Sequence, residues 1–286
     1  MRIAVLITAF KNEDQLNRLI HYLSKDFDIY VHIDKRFSLQ VEESENVRIY
    51  KKFKSYWGSY NTVLAMLNLL EEASKKSYDR YIQITGQDLP IKTNKYIIEH
   101  FEKNRNVEFI EYFSLPHKKW RKQGGMDRIR RFWGTEPARL SGPQMWIAYL
   151  IKAVLTIIYK SPIAFMFNRR IRYQFYGGSN YMDLTDHCVK EVIQYLNDNP
   201  QYLRRFKYTL IPEEIFFQTI ILNLKLETVI INKNFRFIDW DTGPDHPRTL
   251  TIDDFERIMD SEDLFARKFD ENTDNEVIMK IYQNLL

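Results

Sequence analysis

Residues Tyr81–Asn94 read YIQITGQDLPIKTN. The apolar run Tyr81–Thr85 is predicted to be a strand, and it ends in a turn carrying a glycine, an acid, a proline and a lysine. In chains that alternate strand and helix, ligands bind in the crevice beyond the carboxyl ends of the strands. That places Asp88 where a substrate would sit. The same residues also fit a plain tight turn, in which Gly86 supplies an unusual backbone angle and Pro90 ends the strand.

Outward from this stretch, strand and helix alternate. Ile3–Thr8, Ile29–Ile33 and Val47–Tyr50 are apolar runs of strand length. Asn12 is placed to cap a helix with Gln15 as its capping-box partner, and Leu16, Leu19, Ile20 and Leu23 then recur at helical spacing. Ser59 opens a second helix with the stripe Val63, Met66, Leu67 and Leu70. Further on, Val107–Tyr112, Ser179–Leu184, Val229–Ile231 and Phe235–Ile238 read as strands and Asp186–Asn197 as a helix. Pro212 suits the first turn of another helix, with Ile215, Phe216, Thr219 and Ile220 facing inward. The pattern predicts an α/β fold on a mainly parallel sheet with a Rossmann-like start.

The 286 residues fit one large domain, and a 44% hydrophobic composition can fill its core. A net charge of +4 biases the surface mildly toward anionic partners. Cys188 is the single cysteine, which excludes an internal disulfide and fits a reducing compartment. The opening MRIAVLITAF reads as a first strand and not as a signal peptide. Met145–Phe167 is rich in aliphatic and aromatic residues but is interrupted by Lys152, Lys160 and Pro162. It is expected to be a buried or interfacial helix, not a span, which wants about 20 apolar residues. Basic clusters flank it, at Lys118–Arg131 and at Arg169, Arg170 and Arg172. Trp120 and Trp133 could serve as stacking platforms for nucleic acid, but the interspersed charge favours an ordinary loop.

Two groups could carry chemistry. In Pro212-Glu213-Glu214, acids at a helix start are favoured by the macrodipole alone, or one of them is a base that activates a hydroxyl. In Phe265–Phe269, Arg267 and Lys268 lie between aromatics, either as a solvated edge or as cations that neutralise a departing diphosphate. Asp239-Trp240-Asp241 and Asp26-Phe27-Asp28 match a three-letter metal pattern, but the first lies too late in the chain and the second precedes a strand, and both are read as chance. No zinc-type spacing and no Gly-rich nucleotide fingerprint is present.

Eight segments, taken in order, resemble the core-2/I-branching β-1,6-N-acetylglucosaminyltransferase family, which includes the peptide O-xylosyltransferases. They are YVHIDKR (Tyr30–Arg36), YWGSYNTVLAMLNLLEEA (Tyr56–Ala73), YIQITGQDLPIKTN, FIEYF (Phe109–Phe113), GGSNYMDLT (Gly177–Thr185), IPEEIFFQTI (Ile211–Ile220), FIDWDTGPDHPRTL (Phe237–Leu250) and LFARKFD (Leu264–Asp270). The resemblance implies a GT-A-type fold with a central mixed sheet and no metal-binding Asp-x-Asp. It implies inverting transfer from a UDP-sugar without a metal or other cofactor. Glu214 then matches the catalytic base, with Glu213 in place of the family's aspartate. Lys268 matches the diphosphate lysine and Arg248 its arginine partner. Asp34 lies where the family contacts the nucleoside, and Trp57 and Asp88 are assigned to the donor side with it. Glu111, Lys118 and Arg121 match the acceptor contacts.

On this basis residues 1–286 form one glycosyltransferase domain. Residues 1–105 are expected to bind the nucleotide sugar, and residues 106–286 the acceptor, with a basic and apolar insertion around 117–172. The expected partners are a UDP-sugar, a glycan or lipid-linked glycan, and the surface of an anionic membrane, but no nucleic acid. The animal members carry disulfides and an N-terminal membrane anchor, and this sequence shows neither. The expectation is therefore a bacterial-type, cytoplasmic form, peripheral at the inner face of the plasma membrane. The competing class is a non-catalytic glycan- or membrane-binding protein on the same fold.

Overall fold

A computed structural model describes the chain except residues 119, 135–141, 172 and 241–245, with Arg121, Pro162 and Phe165 described by backbone alone. The strands are β1 (Ile3–Ala9), β2 (Asp28–Ile33), β3 (Val47–Tyr50), β4 (Arg80–Thr85), β5 (Leu89–Pro90), β6 (Val107–Ile110), β7 (Phe113–Ser114), β8 (Tyr176–Gly177), β9 (Met182–Thr185), β10 (Val229–Ile231), β11 (Arg236–Ile238) and β12 (Phe265–Arg267). The helices are α1 (Glu13–Leu23), α2 (Tyr60–Ser74), α3 (Asn94–Lys103), α4 (Arg121–Gly124), α5 (Met126–Arg130), α6 (Pro143–Lys160), α7 (Asp186–Asp198), α8 (Pro200–Phe206), α9 (Phe216–Asn223), α10 (Phe255–Met259) and α11 (Asn275–Leu285).

The main sheet runs β10-β6-β9-β4-β1-β2-β3. β4, β1, β2 and β3 are parallel, as are β6 and β10, while β9 pairs antiparallel with both β4 and β6. This mixed α/β architecture with a mostly parallel central sheet is consistent with the GT-A-type expectation. β1 shows why its sequence is apolar throughout. Ile3, Val5 and Ile7 enter one core and Ala4 and Leu6 the other, so both faces of the sheet are covered.

A smaller sheet, β11-β12-β5, brings three separate motifs together. β5 is the Leu89-Pro90 of the opening stretch, and it pairs with Phe265 and Ala266. The two sheets are joined by a buried ion pair. Arg236 of β11 reaches Asp183 of β9 through two bonds of 2.7 Å and donates to the Gln83 carbonyl at 2.9 Å. Neither side chain of the pair is exposed.

Several expectations change. Asn12 does not cap α1: its backbone is left-handed (φ 60°) and its amide donates to Asp270 at 3.0 Å. Gln15 instead turns inward, and its amide donates to the Gly86 carbonyl at 2.9 Å. Gly86 has no left-handed φ. It is required by closeness, because a Cβ there would lie 3.1 Å from the Ala9 methyl. The helix expected from Pro212 is broken. Pro212–Glu214 form one 3-10 turn, and α9 begins only at Phe216. The Met145–Phe167 stretch is helical but not a core helix, since α6 has no buried residue. No helix among the described residues is long and apolar enough to cross a membrane.

Replacing Arg236 with Leu strands the Asp183 carboxylate in the core. Breaking such a buried pair typically costs about 3–5 kcal/mol. Urea unfolding of Arg236→Leu should therefore show a loss of that size, and a loss below about 1 kcal/mol would mean that the pair does not hold the sheets together.

Candidate active site

The candidate residues gather beyond the carboxyl ends of β1, β2, β4 and β6. Ala9 accepts from the Asp34 backbone N–H at 2.9 Å, and the Gly86 N–H bonds the Thr8 carbonyl at 3.0 Å. The ends of β1, β2 and β4 are thereby held side by side.

On one side lies Asp34. It is buried, and both its oxygens accept from Arg36, the shortest contact being 2.6 Å. The Arg36 guanidinium lies 3.8 Å from the Tyr56 ring centre. The next residue, Trp57, is exposed and meets His246 edge-on at 5.6 Å between ring centres. Phe10 and Phe37, which the sequence reading passed over, form an exposed pair 5.9 Å apart beside Asp34.

Gly58 continues this loop to the two glutamates. Its N–H donates to Glu213 Oε1 at 3.1 Å, and its carbonyl accepts from Ile211 at 3.2 Å. Its φ of 66° is left-handed, which suits glycine. Glu213 is buried, and its Oε2 has no hydrogen-bond partner among the described residues. Burial pushes this carboxyl up to about 8, with the neighbouring Glu214 adding to the rise. The two acids sit in a separate three-residue turn just before α9, not in the first turn of that helix.

Glu214 is the more open of the two, with 31% of its side chain exposed. Its Oε2 accepts from Arg128 at 2.7 Å. Desolvation raises its pKa, Arg128 opposes that rise, and Glu111 adds to it. Glu111 therefore stands within electrostatic reach of Glu214. Gly178 fixes this juxtaposition. Its N–H donates to the Glu214 carbonyl at 3.0 Å, and a Cβ there would meet the Glu111 carbonyl at 1.9 Å. Only glycine lets the chain pass between them. Glu111 is also held by Asn234 at 3.0 Å.

Lys118 is exposed, and the Arg121 side chain lies outside the described residues. The cation that the structure brings to Glu214 is Arg128, from the same basic stretch. Its guanidinium stacks on Trp120 at 3.9 Å. Trp120 is no free platform, being packed so closely that a Cβ on Gly177 would lie 2.7 Å from its ring. Trp133 is likewise held, its N–H donating to the Asp127 carbonyl at 3.0 Å. One signal for Arg128 was available, the glycine pair Gly124-Gly125 before it. Both have left-handed φ, and the turn they make starts α5.

The donor side needs two corrections. Asp88 does not line the crevice. It is fully buried, with Oδ2 accepting from the Thr85 N–H at 2.6 Å and Oδ1 lying 3.6 Å from Arg267. It braces its own turn instead. Arg248 faces carboxylates: it bonds Asp239 at 2.8 Å and Asp254 at 2.5 Å. Its fork is engaged there and is not presented to a diphosphate. Lys92 of the opening stretch donates to the Met259 carbonyl at 3.0 Å, away from the site.

Lys268 is half-buried and, among the described residues, makes no ion pair. Burial lowers its pKa, and the positive charges of Lys11 and Arg267 lower it further. Asp270 offsets part of this effect, and it also holds Lys11 at 2.5 Å. The segment is fixed to the Gly86 turn through the Phe269 N–H, which donates to the Gln87 carbonyl at 2.9 Å.

Among the described residues no group of three or more His, Cys, Asp or Glu could hold a metal ion. Asp239 is bound up with Arg248 and Arg257, and Asp241 lies outside the described residues. Asp26 accepts from Asn94 and Asp28 from Arg2, at the opposite end of β2 from the crevice.

The model of the Core-2/I-Branching enzyme family matches residues 3–264. The chain belongs to that family. Relatives include xylosyltransferase 2 of Mus musculus, 25% identical over 92% of this chain and 31% of the relative. Xylosyltransferase 1 of Mus musculus is 24% identical over 94% of this chain and 28% of its own length. A xylosyltransferase of Ciona intestinalis is 22% identical over 92% and 32%. The chain thus spans about a third of the length of these curated relatives.

The Glu213 carboxyl generates a pH prediction. Its folded pKa of about 8 lies above the ordinary 4.5, so the folded chain holds a proton that the unfolded chain releases. The associated stability is complete at acid pH and is lost as pH rises toward 8, by up to about 1.4 kcal/mol per pH unit. The melting temperature of Glu213→Gln should decline less than that of the parent between about pH 5 and about pH 8. Parallel declines would show that Glu213 is not held protonated.

Proposed function

We propose that the protein is an inverting glycosyltransferase. It moves a sugar, with N-acetylglucosamine favoured, from a UDP-sugar to a hydroxyl of a glycan acceptor. The observation that carries this reading is the Glu214–Arg128 pair, open to the crevice and facing Glu111. Desolvation makes the Glu214 carboxylate a stronger base, and the 2.7 Å contact with Arg128 opposes that rise and favours the charged form. A sugar hydroxyl is a poor nucleophile at neutral pH, so a base with these two properties suits its activation.

In the proposed step Glu214 takes the hydroxyl proton. The acceptor oxygen bonds to the anomeric carbon as the bond from that carbon to the UDP oxygen breaks. The electron pair leaves on the diphosphate, where Lys268, with Lys11 and Arg267 nearby, offsets the charge. No metal ion is needed for this. Glu111 orients the acceptor. Asp34 and the exposed Trp57 lie on the nucleoside side. Arg248 acts indirectly, anchoring the segment in which the Leu250 N–H bonds the Lys268 carbonyl at 2.9 Å. The proposed setting is synthesis of a bacterial surface polysaccharide on a glycan or lipid-linked acceptor, by a cytoplasmic enzyme peripheral to the membrane. Xylose as the donor sugar is the second reading, favoured by the names of the relatives.

Release of UDP from UDP-N-acetylglucosamine, UDP-xylose, UDP-galactose and UDP-glucose tests the proposal. Glu214→Gln should lower turnover about 10²–10⁴-fold with little change in UDP affinity. EDTA should leave the parent rate intact. Near-full turnover of Glu214→Gln would remove the base, and loss in EDTA with rescue by Mn²⁺ would remove the metal-free step.

A further inference from the structure

We propose that the arm Pro143–Phe167 docks on a bilayer surface carrying anionic headgroups. The proposal gives a structural basis to the peripheral location suggested above and is independent of the chemistry at Glu214.

α6 stands off the body of the protein with none of its residues buried. Trp146 is 69% exposed, Leu150 66% and Ile157 70%. At 100° per residue these side chains, with Val154, share one side of the helix. The residues that recede from solvent, including Met145, Ala148, Leu155 and Tyr159, lie mostly on the other side. Tyr159 makes one attachment to the body, its hydroxyl accepting from the Phe132 N–H at 2.9 Å. The apolar side is thus turned outward by the fold. The 3-10 turn Pro162–Phe167 extends it, with Met166 69% exposed. A continuous apolar surface of this kind marks an interaction site.

Charge selects the occupant. From residue 142 to residue 171 the chain contains no Asp or Glu, while Lys160 and Arg170 are exposed and the Arg169 guanidinium turns inward to the Arg205 carbonyl at 2.6 Å. A second copy of the same face would set like charges against each other. An anionic bilayer meets both features, burying the apolar side among acyl chains while cations remain at the headgroups. Trp146 and Tyr149 belong to the residue types that settle at that boundary. α6 lies on the surface in this arrangement and does not cross it.

The arm is also tied to the candidate site. The Arg169 N–H donates to the Arg130 carbonyl at 2.8 Å, and its guanidinium donates to the Arg128 carbonyl at 3.4 Å. Arg128 is the partner of Glu214. Docking would therefore bring the acceptor side of the site to the membrane, where a lipid-linked acceptor resides.

The test is flotation of the purified full chain with vesicles of phosphatidylglycerol and phosphatidylcholine, and with vesicles of phosphatidylcholine alone. The parent should float with the anionic vesicles at low salt and be released at high salt. The double variant Trp146→Glu, Ile157→Glu should bind at least about tenfold more weakly, with an unchanged melting temperature, because neither side chain is packed. Three results overturn the proposal. The parent stays unbound, the double variant binds like the parent, or sedimentation shows a dimer that the double variant dissolves. UDP release is measured separately on the same samples. A chain that floats but never releases UDP supports the anchor and refutes the transferase reading.

Discussion

The structure depends on how one antiparallel strand is held inside a parallel sheet. β9 runs against both neighbours, and its Asp183 meets Arg236 with neither side chain exposed. Arg80 of β4, also buried, bonds the Asp183 carbonyl at 3.1 Å and the Val107 carbonyl at 2.7 Å. Glu108 of β6 accepts from the Thr185 N–H and hydroxyl at 2.8 and 2.6 Å. Buried charges are costly unless fully paired, so together these groups favour one register of the strand over any other. The residues just before β9 include Gly178, which threads between Glu111 and Glu214. The register of β9 thus sets the spacing of the two acids, and Arg236 carries the smaller sheet, with Lys268 just beyond it, into place.

Much of this was legible in the sequence, because burial on both faces leaves β1 an unbroken apolar run and the partly exposed edge strands β3 and β10 still carry short runs rich in valine and isoleucine. Val47–Tyr50 and Val229–Ile231 coincide with β3 and β10, and the strands around Val5 and Ile82 differ by a residue or so at their ends. The pairing of the Leu89-Pro90 turn with Phe265-Ala266 was not readable, since two-residue strands carry no periodicity. Nor was the fate of Asn12. A residue suited to capping was drawn instead into contact with Asp270, far along the chain.

Site residues were legible where their role depends on a local motif. Glu111 acts electrostatically on Glu214, and Lys268 makes no ion pair among the described residues. Asp88 was ambiguous because an acid that locks its own turn and an acid that meets a substrate look alike in one dimension. Arg248 fits a diphosphate contact by type, yet Asp254 and Asp239 reach it first. Arg128 was missed because nothing in a run of arginines says which one turns inward. Its selection comes from the Gly124-Gly125 turn and the Trp120 ring. The apolar content of α6 was plain in the sequence, but its exposure was not, since the same pattern would serve a helix packed in a core.

The central claim is a single displacement, with the acceptor oxygen entering opposite the leaving UDP and no covalent sugar–enzyme intermediate. Water acting as the acceptor exposes this without knowledge of the natural one. Proton NMR of the sugar released from an α-linked UDP-sugar, recorded before mutarotation, is the most direct measurement. Inversion at the anomeric carbon makes the β anomer appear first. An α anomer appearing first would mean retention and would contradict the role given to Glu214.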